Sequence, residues 1–191
     1  MRIDAQRNHE HIVDAARELF AKEGTKVSVE AIARAAGVGV GTVHRHFPTK
    51  DSLLDAVLIW FCEPMVEALD AALVDDDPAA GLEAYLVAVV EILATHRALA
   101  EELRGRHQRG EETDELTALK AGMTERLEQL LASGQASGQI RSDIVVGDLR
   151  LLMAGLAQTA TVDDDSISVA DRVRVARIVI DGLRTGPTPT T

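Results

Sequence analysis

Apolar positions recur three and four residues apart almost throughout the 191-residue chain, the spacing of helices that each bury one face. The first such stretch, from about Ala5 to Glu23, sets Ile12, Ala15, Ala16, Leu19 and Phe20 on one side, and Gly24 is placed to close it in the left-handed conformation. Ser28 suits the N-cap of a short helix, Val29 to Ala36, with Ile32, Ala33 and Ala36 inward. A third helix is expected from about Val40 to Phe47, behind Gly39. Thr49 then caps a long fourth helix carrying Leu53, Leu54, Val57, Trp60, Phe61, Val66 and Leu69. Pro64 lies inside it and cannot donate to the carbonyl of Trp60, so the spacing predicts a kink or break near 60–64.

Further along, Asp77 and Pro78 suit the N-cap and N1 of a central helix that runs to about Thr95, apolar on most sides. The polar segment 104–115, "RGRHQRGEETDE", reads as a loop or a short broken helix. An amphipathic helix from about Leu116 to Ser137 stops at Gly138. Two last helices, roughly Val145–Thr161 and Val169–Arg184, flank the acidic segment 162–166, and Ser168 with Asp171 forms a capping box for the second. Residues 187–191 read as a disordered tail. The pattern predicts an all-α protein of about nine helices.

Composition agrees with that class: three Phe, one Tyr and one Trp leave strand formers scarce. A single cysteine, Cys62, allows no internal disulfide, which fits a cytoplasmic protein. The N-terminal stretch carries acids early and lacks the apolar run of a signal peptide, and no run approaches the ~18 residues expected of a membrane-spanning helix.

Charge changes the picture more. The net charge is −11, but residues 1–50 hold eight Lys/Arg against six Asp/Glu, leaving 12 against 25 for the rest of a chain that has 20 and 31. A mildly basic N-terminal unit joined to a strongly acidic remainder is the distribution expected if one end meets phosphates.

The chemistry concentrates in Gly37 to Leu53, "GVGVGTVHRHFPTKDSL". A dinucleotide loop needs a strand before it and a third glycine where Thr42 stands, and no Gly-Lys-Ser/Thr follows for a P-loop. A metal centre is equally poorly served, because His44 and His46, like His9 and His11, are two residues apart and project to opposite sides of a helix. No Ser-His-acid or Cys-His set stands out, so no catalytic residue, metal or cofactor is expected. A helix-turn-helix accounts for the residues: Ala33 small inside the first helix, Gly37 in the turn, Val38 behind it, and Val43 aliphatic inside the second. His44, Arg45, His46 and Lys50 then offer donors along one edge. Ser28, Val40, Gly41 and Thr42, at the helix starts, complete the candidate DNA-facing set.

The segment "VSVEAIARAAGVGVGTVHRHFPTKDSLLDAV" resembles the DNA-binding domain of TetR-type transcriptional regulators, whose usual pattern runs "IA..AGVS.GT.Y.HF..K..L". Two positions depart from it. Gly39 stands where a hydroxyl N-cap is usual, and His44 where tyrosine is usual. The resemblance implies a helix-turn-helix domain, residues 1–50, and a helical effector-binding and dimerisation domain, residues 51–186. It further implies a homodimer, a repressor in the family's manner, that leaves a palindromic double-stranded operator when a small effector binds, with no membrane partner. The rivals are a dimeric helical interaction module and an enzyme without a recognisable motif.

In the acidic part, Val169, Val173, Ala176, Ile180 and Leu183 repeat at 4-3-4-3 spacing, a seam suited to partner helices. The helix before it is apolar nearly all round, with Leu149, Leu151, Leu152, Met153 and Leu156, and needs cover on two sides. Both are expected in an intermolecular four-helix bundle, with Leu149, Leu152, Leu156, Val173, Ala176, Ile180 and Leu183 at the dimer contact. For an apolar effector the candidates are Trp60, Phe61 and Met65 on the fourth helix. Tyr85, Val89 and Leu93 follow on the central helix, with Met123, Leu127 and Met153 beyond it. His96 is the polar group chosen to orient the ligand.

Overall fold

The computed structural model describes residues 2–161 and 167–184. Among them are nine helices: α1 (Arg2–Glu23), α2 (Val29–Ala35), α3 (Val40–His46), α4 (Lys50–Leu73), α5 (Pro78–Thr95), α6 (Arg97–Arg109), α7 (Asp114–Ala136), α8 (Val146–Thr161) and α9 (Val169–Leu183). The all-α class is therefore as expected. The acidic segment 162–166 and the tail 187–191 lie outside the described residues.

Two compact units divide the chain: residues up to Cys62 together with His96–Thr117, and Glu63–Thr95 together with the residues from Ala118 onward. The first unit thus takes in the leading half of α4 and all of α6, beyond the residue-50 boundary drawn from the motif. Its buried side chains include Ile12, Ala16 and Phe20 of α1, Ile32 and Ala33 of α2, Val43 of α3 and Leu53, Val57, Leu58 and Phe61 of α4. On α1 and α4 the buried positions repeat at i, i+3 and i+4, so each of these helices presents an apolar stripe to the interior. Thr49 and Ser52 start α4 by reciprocal hydrogen bonds: the Ser52 amide donates to Thr49 Oγ1 at 3.0 Å and the Thr49 amide to Ser52 Oγ at 3.3 Å.

Two expectations need correction here. Pro64 lies within α4, and the helix continues through it to Leu73, so the expected break does not occur. The unit boundary between Cys62 and Glu63 falls directly before that proline, and loss of one amide in a helix packed along its length does not end it. The segment 104–115 is mostly helix, since α6 reaches Arg109. Gly110 closes it at φ +65°, with the Glu111 amide donating to Arg106 O at 3.0 Å. Its polarity misleads because one of its arginines is buried: Arg106 places Nε 2.9 Å from Asp55 Oδ1 and Nη1 3.2 Å from Asp51 Oδ1, and donates from Nη2 to Glu111 O at 2.8 Å.

In the second unit α5 is the central element. Leu82, Tyr85, Leu86, Val89, Val90 and Leu93 are buried, and α8 and α9 both pack on it. Val90, Leu156 and Ala176 form one cluster with Val173 against it. Glu83 of α5 pairs with Arg184 at 3.0 Å and Arg177 at 3.6 Å, tying the α9 end to α5. The 18 residues of α5 are long and apolar enough to cross a membrane by length and composition, contrary to the expectation that no run is. Half of them are buried, as in a core helix.

Candidate nucleic-acid interface

The α2–α3 turn is built from backbone hydrogen bonds that side chains only permit. Ser28 accepts from the Ala31 amide at 3.2 Å and starts α2. At the other end Gly37 takes φ +68°, where a Cβ would be strained, and lets the Val38 amide donate to Ala33 O at 3.0 Å. Gly39 is the N-cap of α3 with no side-chain cap, as its lack of a hydroxyl dictates. Ala33 and Val43 are both buried, so α3 is held by its inner face and its outer face stays open.

That open face carries Gly41, His44 and Arg45, all exposed, with Val40 and Thr42 partly so. Lys50 is half-buried at the first position of α4. His46 does not join this edge. Its ring lies 6.1 Å from that of His9 on α1 and 6.5 Å from Phe47, and its Nε2 is out of solvent with no hydrogen-bond partner. Burial first, then the charges of Arg45 and His9, lower its pKa from the ordinary histidine value. The ring is turned onto α1 rather than standing free on the edge with His44 and Arg45.

The effector candidates fall into two sets. In the first unit, His96 meets Trp60 and Phe61 edge-on at 6.0 and 5.9 Å, and the Arg17 guanidinium of α1 sits 3.7 Å from the Trp60 ring centroid. Burial, then Arg17, lowers the His96 pKa. The cation on Trp60 was not legible, because Arg17 and Trp60 are far apart in sequence. In the second unit Met65, Tyr85, Val89, Leu93 and Leu127 are buried, while Met123 and Met153 are half-exposed.

The seam expected to meet a partner closes inside the chain instead. Leu149, Leu156, Ala176, Ile180 and Leu183 are buried within it, and Leu152 and Val173 are partly buried. The cause is α5, whose apolar flanks are covered by α8 and α9. A different face is left outside: Leu151 is 74% exposed, Ile178 61% and Val175 40%.

Two family models match the chain. Residues 12–57 match bacterial regulatory proteins of the tetR family, and residues 77–185 match the C-terminal domain of SbtR-like transcriptional regulators. The chain belongs to the TetR family of transcriptional regulators. It is 26% identical to the transcriptional regulator UidR of Escherichia coli K12, over 97% of both chains. Among solved structures it resembles a TetR regulator of Mycobacterium vanbaalenii at 32% identity and TM-score 0.64, covering 96% of this chain and 99% of that one. A TetR regulator of Streptomyces coelicolor is similar at 30% identity and TM-score 0.66, over 94% and 99%. The TetR-type match spans the turn and the exposed edge of α3 described above, so those residues belong to a DNA-binding domain.

Proposed function

We propose that this TetR-family regulator is a homodimeric repressor that lays α3 in the major groove of each half of a palindromic operator, and that a small apolar or amphipathic effector releases it. The observation that carries the DNA reading is the open face of α3, with His44 and Arg45 exposed beside Lys50 in the part of the chain with a positive balance. Arg45 is the candidate for base edges and Lys50 for phosphate. Two copies would present their α3 helices about 34–36 Å apart, one turn of B-DNA. Such a protein acts where the chromosome is, in the bacterial cytoplasm, and by binding rather than catalysis.

Support for the dimer comes from the outer face of α8 and α9. Leu151, Val175 and Ile178 are exposed there, and a Cβ added at Gly155 or Gly182 would meet nothing within 4 Å. Large apolar side chains interspersed with glycines suit close packing against the same face of a second copy. For the effector, the support is the cluster of Trp60, Phe61 and His96 in the first unit and the buried apolar stripe Tyr85, Val89 and Leu93 in the second. Selection of binding sites from random-sequence duplex DNA, followed by footprinting, tests the reading. A protected palindrome supports it, and a dimer that selects no DNA favours an interaction module.

A further inference from the structure

His46 closes the recognition helix in a way that its position beside Arg45 does not suggest. It is the last residue of α3, and its ring is turned onto α1, against His9, whose own ring lies 4.7 Å from that of Phe47. The three rings form one cluster, His46 edge-on to His9 and both tilted against Phe47, that joins the end of α3 to α1, with Phe47 buried. An imidazolium carries an N–H on both ring nitrogens, and Nε2 of His46 is out of solvent with no acceptor. The charged and titratable groups that act on the ring are Arg45 on its own helix and His9 from α1, and both repel a cation.

We propose that His46 is a positioning residue whose neutral ring seats the recognition helix on α1, so that acid, by protonating it, unseats α3 and weakens DNA binding. A protonated ring would leave an N–H without an acceptor beside Phe47 and add a cation next to Arg45 and His9. The ring must then swing to solvent. The consequence runs against the usual trend, in which histidines near phosphates tighten DNA binding on protonation.

The proposal rests on the DNA-binding reading for its functional consequence, though not for the titration itself. The test compares the full-length protein with His46→Phe and, in case that variant packs poorly, His46→Gln. Circular dichroism checks folding at pH 7.5. The probe is the duplex selected from a random library at pH 7.5, titrated between pH 7.5 and 5.5 at constant ionic strength. From pH 7.5 to 5.5 the wild type is expected to lose several-fold more affinity than His46→Phe, because only the wild type takes up a proton at this ring as the pH falls. Superimposable profiles, or a wild type that tightens in acid while the variant does not, would overturn it; the second result would mean that His46 holds a phosphate. A parallel NMR titration of the imidazole protons in the free protein separates the two readings. His46 is expected to titrate below the ordinary histidine value, and a His46 that titrates at or above that value overturns the proposal whether or not DNA is bound. If no duplex is selected at all, the DNA reading fails, and the NMR arm still decides the clamp.

Discussion

Arg106 of α6 and Asp55 of α4 meet at 2.9 Å with each side chain only 4% exposed. Burial raises the Asp55 pKa, and the charge of Arg106 and a hydrogen bond from Thr113 pull against it. Arg106→Met is expected to destabilise the protein by about 3–5 kcal/mol at pH 7, because it leaves a buried carboxylate unpaired. The sign with pH follows from the raised pKa. Asp55 costs stability above its folded pKa, and the cost is relieved as pH falls and the group takes up a proton. Urea melts of wild type and variant should therefore differ less at pH 4 than at pH 7. A gap that stays constant would place the loss in packing rather than charge.

Lys50 and Arg45 are expected to fail differently. Lys50→Ala should weaken binding to all duplexes about equally and lower the salt slope by about 1 per lost contact, or roughly 2 per dimer. Arg45→Ala should cost about 1–3 kcal/mol per half-site, mainly on the selected operator. Fluorescence anisotropy on specific and random duplexes over a salt series separates them. Equal losses on both DNAs for Arg45→Ala would remove it from base reading.

On α9, neighbours in sequence should behave as opposites. Ile180 is 1% exposed and Ile178 61%. Ile180→Asp buries an unpaired charge in the core and is expected to unfold the second unit. Ile178→Asp should leave the fold intact and dissociate the dimer, with a large loss of operator affinity because one domain alone makes too few contacts. Sedimentation velocity and circular dichroism read the two outcomes. A folded Ile178→Asp that remains dimeric would move the interface elsewhere.

Around Trp60, Arg17→Met should remove a cation–π contact worth about 0.5–2 kcal/mol and shift the Trp60 emission. It should also let His96 protonate more readily, since Arg17 is the second cause of its lowered pKa after burial. A histidine with a depressed folded pKa contributes stability that is present above the unfolded value of about 6.5 and lost as pH falls through the folded one. The acid limb of the wild-type stability curve should thus move to lower pH in Arg17→Met. An unchanged acid limb would mean that Arg17 does not act on His96.

What the sequence disclosed was local. Gly24 and Gly37 at positive φ, the Ser28 and Thr49 caps, and the reciprocal bonds of Ser168 and Asp171 all follow from residues within a few positions of one another. The misreadings have one physical source, which is that polarity and periodicity do not say what covers a side chain. Arg106 gave α6 the look of a loop, yet its charge is matched by Asp51 and Asp55, about fifty residues earlier. His46 looked like an edge donor beside Arg45, but His9 of α1 takes up its ring. The 4-3-4-3 seam of α9 was a true helical face, and α5 rather than a second chain occupies it.

The central claim is that the exposed edge of α3 reads operator DNA in a two-fold dimer. Its most direct measurement is hydroxyl-radical footprinting of the full-length protein on the duplex it selects from a random library. The expected result is two protected patches related by a pseudo-dyad, about one helical turn apart, and lost together in Ile178→Asp. A folded protein that selects no sequence, or protects a single asymmetric patch unaffected by Ile178→Asp, would contradict it.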